Sequence, residues 1–226
     1  MTVATAVSQL PYAHLLRRHE GVLAAGGDYE TVLFDGLEAV GDDAVNSRFT
    51  ECAAVSSSFT GVRMRGARFT DVWLSGVRLV EADLARSAWL DGAVLSSSLA
   101  GVEAFDSELR RVVFRGCKFD SVNFRAARLT GVVFEDCVLR DVDWSGAALT
   151  DLRFPGSALD GVRVAGAVMR KVDLRGAARL EFADGHVLPQ GRGDRQRAVD
   201  GVGAGARPHV GHHGSAPAVR RREARF

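Results

Sequence analysis

Cys117 and Cys137 stand 20 residues apart, and two thiols at a fixed spacing are what a redox pair requires. Asp141 and Asp143 are spaced like carboxylates that divide general acid and base work. His209, His212 and His213 offer imidazoles to a metal, Arg192-Gly193-Asp194 is an RGD tripeptide, and Arg220-Arg221-Arg222 is a short basic run. No second group supports any of them. Cys52 makes the cysteine count odd and leaves no small-domain disulfide spacing. The histidines have no cysteine or carboxylate cluster beside them. No nucleophile and base arrangement, phosphate-cradling loop or metal spacing emerges, so the sequence reads as non-enzymatic and without a cofactor.

What these residues do depends on the element that holds them, and that element has an unusual period. From Phe34 to Leu174 every fifth residue is apolar: of 29 positions nine are Phe, ten Leu, two Trp, two Met, two Val and four Ala. Two residues before each, nearly every position is Ala, Val, Cys, Ser or Gly, with Asp42 and Leu152 among the departures. Two residues after each, 13 are Gly and ten are Asp, Asn or Ser. Neither a helix nor a simple strand repeats on five. Small, any, large is a three-residue extended segment that buries its first and third side chains. The next two residues turn the chain, which suits Gly, Asp, Asn and Ser. A unit so short cannot enclose its own apolar side chain and must stack on copies of itself, as in a solenoid. In such a stack Cys117 and Cys137 hold the small inward position in adjacent coils, as core thiols do.

The unit resembles the pentapeptide repeat, with Ala82-Asp83-Leu84-Ala85-Arg86 and Val172-Asp173-Leu174-Arg175-Gly176 as copies close to its A-(D/N)-L-x-x form. The resemblance implies an all-β fold, a right-handed quadrilateral parallel β-helix with four units per coil and about seven coils. Three segments follow: an N-terminal cap over residues 1–27, the repeats over 28–178, and a Gly-, Arg- and His-rich basic tail over 179–226. Ser8 to Gly21 carries Pro11 in a first-turn position and an apolar stripe at Tyr12, Leu15 and Leu16, which predicts a short helix capping the first coil. The tail lacks apolar periodicity and reads as a flexible extension or the product of a frame shift near residue 180.

With inward positions occupied by packing, function belongs on the outside. Outward residues 20 apart share a face, and one face shows Leu33, Ala53, Trp73, Ala93, Val113 and Val133, joined by Val55 and Leu95. The candidate contact strip is Leu33, Val55, Trp73, Leu95, Val113 and Val133. An apolar strip of this kind marks a dimer or partner interface, or a surface covered by the N-terminal segment or the tail. The known members of the resembled family include quinolone-resistance proteins that bind DNA gyrase or topoisomerase IV by presenting an acidic rod in place of DNA. The resemblance therefore implies a protein-binding scaffold with gyrase or topoisomerase IV as a candidate partner, and neither nucleic acid nor membrane bound directly. Residues 28–178 carry 22 acidic and 18 basic side chains, a net of −4, whereas the last 48 residues carry a net of +4. The alternative is an interaction module for an unrelated protein, recruited through the apolar strip. The absence of a signal-like or membrane-length apolar run predicts a cytoplasmic protein.

Overall fold

The computed structural model describes residues 3–183. Each repeat folds as the period requires: in Arg68–Thr70, for example, Phe69 points inward and its neighbours face out. Such a segment offers backbone donors and acceptors on both edges, and pairing in parallel with the copy one coil away satisfies them. Arg68, Phe69 and Thr70 pair with Ala88, Trp89 and Leu90, a shift of 20 residues. Repetition builds three parallel sheets around one core. The first has seven strands, from Arg17–Arg18 and Val32–Asp35 to Val133–Glu135. The second runs from Glu38–Val40 to Arg179–Phe182 and the third from Asp28–Glu30 to Val168–Arg170, with eight strands each.

The fourth side departs from uniform three-residue segments. It carries single-residue bridges, from Asp43↔Arg63 to Asp143↔Arg163. After each bridge the chain makes a tight turn, as where Ser47 N–H donates to Ala44 O at 3.2 Å and Asn46 sits at φ 58. Where the bridge residue is Asp or Asn, its side chain reinforces the turn. Asp83 Oδ1 accepts the Ala85 N–H at 3.0 Å, Asn123 Oδ1 that of Arg125 at 3.1 Å, and Asp143 Oδ1 that of Ser145 at 2.8 Å. An Asx turn competes with extension, so the D/N of the repeat is a turn residue here.

Inside, columns of like residues stack at the coil spacing. Tyr29, Phe49, Phe69 and Trp89 form one aromatic column with centroids 4.9, 4.9 and 4.0 Å apart, and Phe114, Phe134 and Phe154 another at 5.1 Å. The strand spacing fixes these distances, and offset stacking adds roughly 0.5–1.5 kcal/mol per pair beyond burial.

Both ends differ from expectation. No α-helix forms over Ser8 to Gly21. The segment makes two 3-10 turns, Val7–Gln9 and Ala13–Leu15, then joins the first sheet as Arg17–Arg18. Pro11, which has no N–H to give, separates the turns. The first coil is capped by the residues that follow. The His19 ring lies 5.5 Å from Tyr29 and 5.2 Å from Phe34, Leu23 is buried in the core, and Leu23 N–H donates to Asp42 Oδ2 at 2.8 Å. Asp42 breaks the small-residue rule because no earlier coil lies beneath it to take that donor. At the far end the repeats outlast residue 178: Arg179–Phe182 adds a last strand to the second sheet, making about eight coils. Leu159 pairs with Leu180, 21 residues on, and this one-residue slip hid the strand from a count by fives. Met169, Leu180 and Phe182 stay half-buried there, at an end that no further described residue covers.

Candidate interaction face

The apolar strip lies on the first sheet, and most of it is already occupied. Outward side chains of a β-helix should meet water, yet Ala53, Trp73 and Leu95 are buried, Trp73 at 4% exposure. Residues 3–16 lie across them as a strap. Leu10 and Tyr12 form a second apolar cluster with Ala53, Trp73 and Leu95, flanked by Val3, Ala4, Val7, Ala13 and Leu16 from the strap and Leu33, Val55 and Ala93 from the sheet. Trp73 Nε1–H donates to Ala4 O at 2.9 Å. Tyr12 Oη–H donates to Asp71 O at 2.7 Å, with Cys52 O at 3.4 Å. Burial, and then the charges of nearby groups, raise the Tyr12 phenol above its ordinary value. A phenolate there would lose water and face carbonyl oxygens.

Of the six strip residues, the structure thus brings Leu33, Val55, Trp73 and Leu95 together beneath the strap. Val113 and Val133 continue the same column beyond it, half-buried, beside the Arg115–Glu135 ion pair at 2.7 Å. The Tyr12, Leu15 and Leu16 stripe divides: Tyr12 is buried, Leu16 half-buried and Leu15 exposed. Tyr12 as an anchor was hidden from sequence because a helical stripe and a strap place the same apolar residues at similar spacing. The available signal was Pro11, in the middle of that stripe.

The cysteines serve the backbone. Cys117 and Cys137 are each 1% exposed, and Cys117 N–H donates to Cys137 Sγ at 3.4 Å. Serines do the same in that column: Leu37 N–H reaches Ser57 Oγ at 3.0 Å, Val77 N–H Ser97 Oγ at 3.0 Å, and Cys137 N–H Ser157 Oγ at 2.9 Å. Contact with Cys117 and then burial hold the Cys137 thiol far above its usual range, the same contact lowers Cys117, and burial pushes Cys52 up to about 11. Cys52 and Cys137 are thiols without the thiolate character that reactivity needs, and Cys117 is shut away from solvent beside Cys137. Asp143 is engaged in its turn and lies 3.8 Å from Arg125, while Asp141 occupies a corner at φ 51. The two do not converge on a shared site. Among the described residues no group of three or more His, Cys, Asp or Glu gathers as a metal site. His209, His212, His213, Arg192-Gly193-Asp194 and Arg220-Arg221-Arg222 lie outside the described residues.

Surface charges pair along the coil axis. Arg63 meets Asp43 at 2.8 Å, Arg111 meets Asp91 at 2.6 Å, Arg48 meets Asp28 at 3.9 Å, and Asn123 donates to Glu103 at 2.6 Å, each with a residue one coil away. The Arg111 guanidinium holds the Asp91 carboxyl below its ordinary value. Along these columns acidic and basic side chains alternate rather than gather by sign. No helix among the described residues is long and apolar enough to cross a membrane.

Two family profiles match parts of the repeat region. A profile described as pentapeptide repeat region matches residues 96–164, and one described as pentapeptide repeats (8 copies) matches residues 45–79. No curated protein matches the chain. Among solved structures, the chain is similar to HetL, a pentapeptide repeat protein involved in heterocyst differentiation regulation from the cyanobacterium Nostoc sp. strain PCC 7120. The two are 16% identical over 68% of this chain and 90% of HetL, with a TM-score of 0.43. It is also similar to a trypsin-treated variant of QnrB1, a plasmid-mediated fluoroquinolone resistance protein, at 19% identity over 64% of this chain and 78% of that one, with a TM-score of 0.40. Both profile matches fall inside the register that runs from Phe34 to Leu174, and the coils fold as that register demands: the repeats of this chain, over residues 45–79 and 96–164, are pentapeptide repeats.

Proposed function

We propose that the protein is a non-enzymatic protein-binding scaffold whose contact surface is an outer face of the solenoid. One observation carries this reading: a sheet face that should meet water is apolar over several coils and already holds a peptide segment, residues 3–16, around Trp73. From Asp28–Glu30 to Val168–Arg170 the faces are built from a 20-residue pairing, and inward side chains are committed to the core. Two versions of the scaffold differ in chemistry. In one, the rod acts on DNA gyrase or topoisomerase IV by standing in for DNA, which needs a continuous negative face. In the other, it is a neutral module that takes a protein partner through apolar contact. The cross-coil pairs Arg63–Asp43 and Arg111–Asp91 favour the neutral module, because they cancel charge where a phosphate mimic would accumulate it.

A gyrase supercoiling assay with added protein, with and without a quinolone, separates the two. The neutral module leaves supercoiling and quinolone action unchanged at every protein concentration. Inhibition or protection that weakens steeply with salt would overturn it and make a topoisomerase the partner.

A further inference from the structure

The strap contacts the solenoid as a ligand contacts a receptor. Residues 3–16 form no ladder with the first sheet. Their own backbone bonds are local turns, such as Leu10 N–H to Val7 O at 3.0 Å and Leu15 N–H to Tyr12 O at 2.9 Å. What joins them to the coils is apolar burial around Leu10, Tyr12, Trp73 and Leu95, with the side-chain hydrogen bonds of Trp73 and Tyr12. A tryptophan and a tyrosine anchoring a small apolar cluster is the composition of a binding hot spot, not of a solenoid core. The strap can leave without breaking a sheet, because laddering begins only at Arg17–Arg18. Beyond the strap the groove runs on past Ala93 to Val113 and Val133.

We propose that this groove on the first sheet is a binding site for an apolar, turn-forming segment anchored by a tyrosine, and that it takes residues 3–16 of a second copy of this chain by exchange. Every copy carries both the groove and the segment that fits it, so the contact is self-complementary and closes as a two-fold dimer. Each strap keeps its burial and both hydrogen bonds in the partner's groove. Exchange therefore costs little beyond association, and concentration sets its extent. This rests on the scaffold reading only in taking an outer face as the contact surface; it stands or falls apart from any effect on a topoisomerase.

The test uses full-length protein and a fluorescein-labelled synthetic peptide spanning residues 3–18, followed by fluorescence anisotropy. Wild type binds the peptide weakly because its own strap competes. Tyr12→Ala, which loosens that strap, binds it at least tenfold more tightly. Leu10→Ser gives the same gain by a different route, and circular dichroism checks that each variant keeps its β structure. Adding Trp73→Ala to Tyr12→Ala removes the gain. Light scattering on wild type finds a dimer whose share rises with concentration. Peptide binding that Trp73→Ala leaves intact, no binding by either folded strap variant, or a mass that stays monomeric at every concentration would each overturn the proposal.

Discussion

At the residue scale, the small inward position is a hydrogen-bonding post as well as a filler. Ser57, Ser97, Cys137 and Ser157 each accept an N–H from the preceding coil, a donor that otherwise faces an apolar interior. Cys137→Ala should cost about 1–3 kcal/mol, the penalty of a stranded buried donor, whereas Cys137→Ser should be nearly neutral. Thermal denaturation of the two variants checks the contrast; equal losses would mean that volume alone matters at this site. Trp144 poses the converse case. Its ring sits 1% exposed between Phe134 and Phe154, with Nε1–H lacking any acceptor. Trp144→Phe removes that donor and a few core contacts, and these effects oppose each other, so a melting temperature within a few degrees of wild type is expected. The inward place of both residues was legible in the five-residue period. Their hydrogen bonding was not, because a periodic count reports which way a side chain points and nothing about which donors lack partners.

At the element scale, the strap and the core columns make separate demands. Tyr12 and Tyr29 are the two tyrosines, and burial raises the Tyr12 phenol. A raised value in the seated state means that the strap's stability is complete below the ordinary phenol range near 10 and is lost as pH climbs beyond it. An ultraviolet absorbance titration should therefore show a late-ionising tyrosine in wild type and lose that step in Tyr12→Phe. The core holds an apolar void of about 40 Å³ beside Ala54, lined by Phe34, Phe49, Met64 and Phe69 among others. Ala54→Val should fill part of it and raise stability by about 0.5–2 kcal/mol, as read by chemical denaturation. The strip from Leu33 to Val133 was visible in sequence as a column 20 residues apart, and so was cover by the N-terminal segment as one of its explanations. Which explanation held was not visible. It depends on where Pro11 and the following turn send the chain, and local propensity favoured a helix that tertiary burial overrode.

For the whole molecule, stability comes from stacking rather than from surface charge. Pairs such as Arg111–Asp91 are well formed but open to solvent, so Arg111→Ala should shift the melting temperature by only a degree or two. Asp91 and Asp173, both held low by arginines, contribute stability at neutral pH that fades as pH falls through and below the carboxylate range near 4. The pairing of residues 20 apart has a further consequence, for how such a chain can change length. Removal of residues 108–127 would join Ser107 to Arg128, and every later side chain would keep its face, its column and its neighbour type. The product would be a shorter rod of the same cross-section, by about 4.8 Å. Removal of five residues would instead turn everything beyond it by a quarter, carrying the Asp-led turns onto another side and splitting each outer face in two. A loss of two residues would throw large side chains into the places of small ones, and a loss of one would turn them outward into water. The molecule is in effect a ruler graduated in twenties: whole divisions can be added or erased, and errors of any other size announce themselves along the rest of its length.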